Sequence, residues 1–107
     1  MHPVHSPKIM FSHIVIFWLK PGMPDAVDQF IAGAEKYLKP IPGVLSFHVG
    51  RMVPSHRAVV DQSYQVALNI VFSDKQAHDI YQDHPSHLEF VAKINPLWQK
   101  VLVYDFQ

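Results

Sequence analysis

The sequence predicts an α+β domain with the element order β-α-β-β-α-β and a split second helix, which is the ferredoxin-like plan. Three observations support this fold class. Residues 11–19 are almost entirely apolar and rich in strand formers, residues 64–72 alternate between apolar and polar side chains, and residues 27–38 carry apolar side chains at helical spacing. At 107 residues the chain accommodates one domain, assigned to residues 11–107 after a flexible N-terminal tail at residues 1–10.

The first strand, Phe11 to Leu19, ends at the turn sequence Lys20-Pro21-Gly22. A helix is expected next, because Pro24 suits a first helical turn and Asp25 is favourable at the positive end of a helix dipole. Lys39-Pro40 is expected to end this helix. Its predicted apolar stripe consists of Val27, Phe30, Ile31, Ala34 and Leu38.

Two further strands are predicted in the middle of the chain, at Val44 to Met52 and at Tyr64 to Phe72. The segment between them, residues 53–63, is polar and contains Pro54, so we interpret it as a long connection. In the later strand the residues expected to share one face are Tyr64, Val66, Leu68, Ile70 and Phe72.

The second helix is predicted to begin at Ser73-Asp74-Lys75-Gln76, which has the capping-box pattern, and to break at Pro85. A second capping box, Ser86-His87-Leu88-Glu89, predicts a short third helix that runs to Asn95-Pro96 with Ser86 as its N-cap. The last strand is predicted over Lys100 to Phe106.

The composition excludes several classes of protein. Lys and Arg together number 9, as do Asp and Glu, so there is no field to attract nucleic acid or anionic lipid. The absence of cysteine excludes a disulfide scaffold and thiolate chemistry. No apolar run is long enough to cross a bilayer, and the first residues lack a signal-peptide pattern, so we expect a cytoplasmic protein without a membrane or nucleic-acid partner.

The first strand is apolar on both faces, which predicts self-association. Both helices of this fold lie on one face of the sheet, so the other face would expose a large apolar patch. A two-fold homodimer that packs sheet against sheet would cover it, and we expect an enclosed apolar chamber between the two subunits. The residues on the two faces are Val15, Phe17 and Leu19 against Ile14, Ile16 and Trp18, and the last strand repeats this pattern.

Side chains that transfer protons near neutral pH are concentrated at Tyr81 to His87, where Pro85 interrupts the helix. We expect His87 at the first helical position, where the positive helix end lowers the pKa of its imidazole and leaves a neutral ring that acts as a general base. Tyr81, across the turn, is placed to polarise a carbonyl or to orient this base. Each pattern also has a plain structural interpretation: His87 as a polar residue at a helix start, and Tyr81 as a core residue at helical spacing from Ala77.

His13 is predicted on the same strand face as Val15 and Phe17. A histidine among apolar neighbours is usually a satisfied core group, but on an enclosed face it provides a polar contact in a small-molecule pocket. Asn69 and Trp98 are weaker candidates of the same type. The residues expected to line the pocket are Val15, Phe17, Val66, Leu68, Trp98, Val101 and Val103.

We expect neither a metal nor a cofactor. His84 and His87 are three residues apart, but Pro85 prevents one continuous helix from presenting both rings, and no His-Glu-x-x-His pattern occurs. The sequence contains no dinucleotide-binding glycine pattern, phosphate loop or Gly-x-Ser-x-Gly motif. Four other histidines are expected at the surface: His2, His5, His56 and His78.

At these same residues the chain resembles the stress-responsive A/B barrel domain family, often called Dabb. The resemblance covers about residues 12–106 and depends on four segments. They are His-Ile-Val-Ile-Phe-Trp-Leu-Lys at 13–20, Ile-Pro-Gly-Val at 41–44, Tyr-Gln-Asp-His-Pro-Ser-His at 81–87 and Trp-Gln-Lys-Val-Leu-Val-Tyr-Asp-Phe at 98–106. The resemblance implies a homodimer that forms an α/β barrel.

The resemblance also implies roles for three residues. In family members that are plant polyketide cyclases, which perform intramolecular aldol condensation without a cofactor, the histidine matching His87 is the base. The tyrosine matching Tyr81 lies beside it, and the histidine matching His13 lines the pocket.

Three functional hypotheses follow. The first is a dimeric protein that binds a small apolar or keto-type molecule in the barrel without an assigned reaction. The second is a cofactor-free, cyclase-like enzyme in which His87 removes a proton α to a carbonyl and Tyr81 supports the enolate. The third is a small monooxygenase of related fold, whose motifs are not evident in the sequence.

Overall fold

The computed structural model describes residues 10–107. The predicted tail at residues 1–10 therefore lies outside the described residues, apart from the exposed Met10. The elements, in chain order, are β1 (Phe11–Leu19), α1 (Ala26–Tyr37), β2 (Val44–Arg51), β3 (Val66–Phe72), α2 (Lys75–Asp83), α3 (Pro85–Ile94), a 3₁₀ turn (Asn95–Leu97) and β4 (Trp98–Phe106). This order confirms the predicted ferredoxin-like plan with a divided second helix.

The four strands form one sheet in the order β2-β3-β1-β4, and all neighbouring strands are antiparallel. The central strand β1 places His13 between Ile70 of β3 and Asp105 of the edge strand β4. Since residues paired across neighbouring strands share a face, Asp105 and His13 lie on the same side of the sheet.

The core lies between the sheet and the helices. Alternate residues of β1 and β3 point into it, which confirms the predicted shared faces of Val15, Phe17 and Leu19 and of the β3 residues from Val66 to Phe72. Tyr64 was predicted on the same face as Val66, but it precedes β3 and lies beside Ile16 and Trp18 on the opposite face. Phe30 of α1 contacts Phe17 and Phe90, with ring centroids 4.3 and 5.4 Å apart. Within the predicted stripe of α1, Phe30, Ala34 and Leu38 are buried, and Val27 and Ile31 pack at the margin of the core.

The caps of α2 and α3 differ from the predicted ones. Asp74 caps α2, because its carboxylate accepts a hydrogen bond from the Ala77 amide, whereas Ser73 precedes the cap. His84 caps α3 by accepting the Ser86 amide through Nδ1, so the helix begins at Pro85. His87 is therefore the third helical residue, not the first.

The predicted cap of α3, Ser86, has another partner. Its hydroxyl donates a hydrogen bond of 2.6 Å to the carbonyl oxygen of Tyr37, at the end of α1. Because the Tyr37 carbonyl is one of the groups that a helix leaves unpaired at its C-terminus, this contact satisfies it and fixes α3 against α1.

Three strand ends also differ from the prediction. The second strand ends at Arg51, the third begins at Val66 and the last begins at Trp98. Before Val66, Gln65 bonds to β1 twice: its side-chain oxygen accepts a hydrogen bond from the Leu19 amide, and its own amide donates one of 3.1 Å to the Phe17 carbonyl.

The face of the sheet opposite the helices is apolar where β1 adjoins β4, as the sequence predicted. Leu102 is 37% exposed and Tyr104 is 55% exposed, which are high values for such side chains. We call this surface the bare face; its apolar residues are Ile14, Ile16, Trp18, Leu102, Tyr104 and Phe106. Among the described residues, no helix combines the length and the apolar character needed to span a bilayer.

Candidate functional site

A cavity of about 160 Å³ lies between the sheet and the helices α2 and α3. The predicted chamber between two subunits was therefore misplaced: the cavity lies on the helix-covered face, within one chain. The reason is that the helices cover β1 but do not fill the space above the edge strand β4. Val101 and Val103 of β4 line the cavity there and remain exposed.

The structure brings the three predicted catalytic residues together, since His13, Tyr81 and His87 all line this cavity. The ring centroids of Tyr81 and His87 are 4.8 Å apart, and those of His13 and Tyr81 are 6.0 Å apart. The break at Pro85 produces this arrangement, because it turns α3 back so that His87 faces the end of α2.

Most of the predicted apolar contacts also lie on this cavity. Val66 is buried in the core away from it, and Asn69 lies exposed on the opposite face of the sheet. The predicted residues that line the cavity are Val15, Phe17, Leu68, Trp98, Val101 and Val103. Four lining residues that the sequence analysis missed are Leu38, Gln82, Phe90 and Val91.

His87 presents only one of its two ring nitrogens to the cavity. Nδ1 is buried and has no hydrogen-bond partner among residues 10–107. A backbone contact with Gln82 favours the protonated ring, but it does not give Nδ1 a hydrogen bond. Because Nδ1 has almost no accessible surface, Nε2 is the atom of His87 that meets a ligand.

The pKa of His87 is lowered, which agrees with the predicted direction but has a different main cause. Burial is the largest contribution, followed by the charge of His13 and, more weakly, that of His78. The backbone of Gln82 and the carboxylate of Asp83 act in the opposite direction. The ring is therefore neutral near pH 7 and able to accept a proton.

Burial strongly raises the pKa of the Tyr81 phenol, so this side chain stays protonated and acts as a hydrogen-bond donor. Burial also lowers the pKa of His13, although the hydrogen bond that its Nδ1 donates to the Asp105 carboxylate opposes this effect. The cavity thus combines apolar walls with a neutral imidazole and a phenolic donor.

His13 belongs to a cluster that the sequence analysis missed. Its Nδ1 is 2.6 Å from a carboxylate oxygen of Asp105, and the other oxygen of Asp105 is 3.9 Å from Nε2 of His78. The prediction that His78 lies at the surface was wrong: it is 8% exposed and stacks on Phe11 with ring centroids 4.6 Å apart.

Two signals in the sequence could have revealed this cluster. His78 is three residues before Tyr81, so both belong to one face of α2. Asp105 alternates with Val103 and Val101, which places it on the cavity face of β4. Its pairing with His13 required the register between β1 and β4, which the sequence does not specify.

The fold and the site define a class: ferredoxin-like α+β proteins with a cavity under the helices that is lined by histidine and tyrosine. The chain matches the family described as Stress Responsive A/B Barrel Domain over residues 11–107. It therefore belongs to this family. A stress-response A/B barrel domain-containing protein of Arabidopsis thaliana is 29% identical over 96 residues, covering 90% of this chain and 84% of that protein.

Solved structures agree with this assignment. A Dabb family protein with a ferredoxin-like fold from Mesorhizobium loti is 31% identical, with a TM-score of 0.74 and coverage of 92% of this chain and 95% of that chain. A dimeric ferredoxin-like protein of unknown function from Thermobifida fusca is 22% identical, with a TM-score of 0.78 and coverage of 99% and 97%. The hydroxynitrile lyase from Passiflora edulis is 20% identical, with a TM-score of 0.80 and coverage of 94% of each chain. The last two likenesses show the fold alone.

The lowered pKa of His87 makes stability depend on pH. The unfolded chain binds a proton at this ring near pH 6.5, whereas the folded protein resists protonation. We therefore expect the melting temperature to fall as the pH drops below about 6.5, and His87→Gln to remove part of this fall. Calorimetry between pH 5 and pH 8 measures both effects.

A histidine on the exposed loop provides the control for this measurement. His56→Gln changes the same chemical group at an exposed position, so it should keep the pH dependence of the wild type. If the melting temperatures of the wild type and of His87→Gln fell equally steeply below about pH 6.5, the assignment of a neutral His87 ring that resists protonation would be wrong.

Proposed function

We propose that this protein binds a small, largely apolar carbonyl compound in the cavity beneath α2 and α3. The observation that carries the proposal is the pairing of a phenol held protonated, Tyr81, with a neutral imidazole, His87, in a cavity whose other walls are mainly apolar. Sites for small molecules have this composition, with apolar walls and a few polar groups that orient the ligand.

The size of the cavity restricts the ligand. Its volume of about 160 Å³ is close to that of an engineered protein cavity of about 150 Å³ that binds benzene. A six-membered ring or a short branched chain with one carbonyl fits this space. A longer ligand would extend past the exposed residues Val101 and Val103 of the edge strand.

A matched pair of compounds tests the proposal. Cyclohexanone should raise the melting temperature of the wild-type protein more than cyclohexane, since only the ketone accepts a hydrogen bond from Tyr81. Tyr81→Phe should remove the difference between the two compounds, because it deletes the donor and keeps the ring. Equal shifts with both compounds in the wild type would show that the cavity does not recognise a carbonyl.

We also propose that the protein is a homodimer in which the bare face packs against its copy. The exposed apolar side chains of β4 and the half-buried ones of β1 on this face support the proposal, because monomers rarely leave such a patch in water. The description of the Thermobifida fusca neighbour as dimeric agrees with it. The cavity is formed by one chain, so dimerisation is proposed to stabilise the sheet beneath it.

A charge on the bare face should disrupt this dimer. Leu102→Glu places a carboxylate in the proposed interface, and burying it unpaired is costly, so the variant should sediment as a monomer at micromolar concentration. Ile80→Glu is the matched control, because Ile80 is exposed on a helix, on the other side of the molecule from the bare face. A wild-type protein that sediments as a monomer would refute the proposal.

A second candidate function is cofactor-free proton transfer next to the bound carbonyl. It is favoured by the accessible Nε2 of a neutral His87 beside the donor Tyr81. In this reaction Nε2 takes a proton from the carbon α to the carbonyl, and the C–H electron pair forms an enolate whose oxygen accepts a hydrogen bond from Tyr81. Return of the proton from His87 to carbon closes the cycle.

Intramolecular aldol chemistry of the cyclase type begins with this same enolate, which then attacks a second carbonyl of the substrate. The likeness to the hydroxynitrile lyase shows that the fold occurs in an enzyme and assigns no substrate to this chain. A monooxygenase function finds no further support in the residues around the cavity.

Hydrogen–deuterium exchange tests this second function directly. In D₂O the proton taken up by Nε2 is replaced by a deuteron from the solvent before it returns to carbon, so the protein should accelerate exchange of the α protons of cyclohexanone, measured by proton NMR. His87→Ala should reduce the protein-dependent rate by about 100-fold or more, and Tyr81→Phe by about 100-fold. His56→Ala, on the exposed loop, should leave the rate unchanged.

The two proposed functions can fail separately. A ketone-specific thermal shift without any exchange would leave the binding function and reject the catalytic one. Exchange that persists in His87→Ala would assign the base to another residue.

A further inference from the structure

The cluster formed by His13, His78 and Asp105 does not take part in the proton transfer proposed for His87. One ligand-type atom from each residue lies within 4.8 Å of the other two. Both histidines are buried, at 5% and 8% exposure. We propose that these three side chains form a binding site for a divalent transition-metal ion of the zinc class.

The donor set fits this class of ion. Two imidazoles and one carboxylate are the ligands of many three-residue zinc sites, in which a fourth position remains open to water or substrate. Hard ions such as Mg²⁺ prefer oxygen ligands and octahedral geometry, so this site should discriminate against them.

The distances are also compatible with a metal. Zinc bonds of about 2.0–2.1 Å in a tetrahedron place neighbouring ligand atoms about 3.3 Å apart. The contacts from Asp105 are 2.6 Å to His13 and 3.9 Å to His78, which are values on either side of that spacing. Since the three ligand atoms lie within 4.8 Å of one another, side-chain shifts of up to about 1.5 Å would accommodate the ion.

The surroundings of His78 provide an independent observation. Its Nδ1 is 3.1 Å from a carboxylate oxygen of Asp79, which leaves Nε2 to face Asp105. A carboxylate on the second nitrogen of a metal-binding histidine fixes the ring and strengthens the ligand. The amide of Gln82, now 3.2 Å from Nε2, would move aside when the ion binds.

The site has access to solvent, because the side chain of Asp105 on the edge strand is 37% exposed. An ion can thus reach the two buried rings from the β4 edge of the sheet without unfolding of the core. Because His13 also lines the cavity, the bound metal would lie next to the cavity, on the side formed by His13. The metal ligands do not include Tyr81 and His87, on which the carbonyl-binding function rests, so the two proposals are tested by different variants.

The test is titration of the full-length protein with ZnCl₂ by calorimetry, with CoCl₂ followed by visible absorption as a second probe. The parent protein and all variants carry His2→Ala and His5→Ala, so that the histidines near the N-terminus do not bind the added metal ions. We expect one Zn²⁺ per chain and a Co²⁺ spectrum of a low-coordinate site, with no binding of MgCl₂ under the same conditions.

Four variants locate the ion. His78→Phe keeps the stacking on Phe11 and should weaken Zn²⁺ binding by at least about 100-fold. Asp105→Asn should have a comparable effect, and Asp79→Asn should weaken binding by about 10-fold. His56→Ala, on the exposed loop, should bind as the parent protein does.

Asp105→Asn changes a partly exposed side chain, so it keeps the proposal testable if His78→Phe fails to fold, as judged by circular dichroism. The proposal is overturned if the parent protein binds no Zn²⁺ at millimolar concentration, or if Asp105→Asn binds it as tightly as the parent. Mg²⁺ binding of equal strength would also overturn it.

Discussion

The structure depends on one constraint: the central strand β1 is apolar on both faces, but the helices cover only one of them. The covered face supplies Val15 and Phe17 to the core and places His13 among them. The other face remains as the apolar bare face, which requires a second surface to exclude water. The core, the cavity and the proposed dimer are therefore consequences of the pattern of one nine-residue strand.

The fold was predictable from the sequence because its signals are local. Alternation in β1 and β3, the stripe of α1 and the break at Pro85 each involve residues close together in the chain. The capping residues were predicted less accurately, since two adjacent candidates such as Ser73 and Asp74 satisfy the same pattern.

The candidate site was predictable only in part. Tyr81 and His87 are six residues apart in one motif, whereas Asp105 reaches His13 across 92 positions of the chain through strand pairing. That pairing depends on a register which no local pattern specifies. The chamber was predicted on the wrong face because the sequence indicates where apolar surface exists but not how completely the helices fill the space above it.

The two proposed sites are linked by electrostatics. Positive charge on His13 lowers the pKa of His87, so the two rings resist protonation at the same time. A metal ion held by His13, His78 and Asp105 would add positive charge at the same place and would therefore favour the neutral form of His87. The neutral form of His87 has a free lone pair on Nε2. A base next to a bound carbonyl needs this lone pair to take up the proton. The cluster that the proton-transfer step does not use would in this way keep the base ready to act.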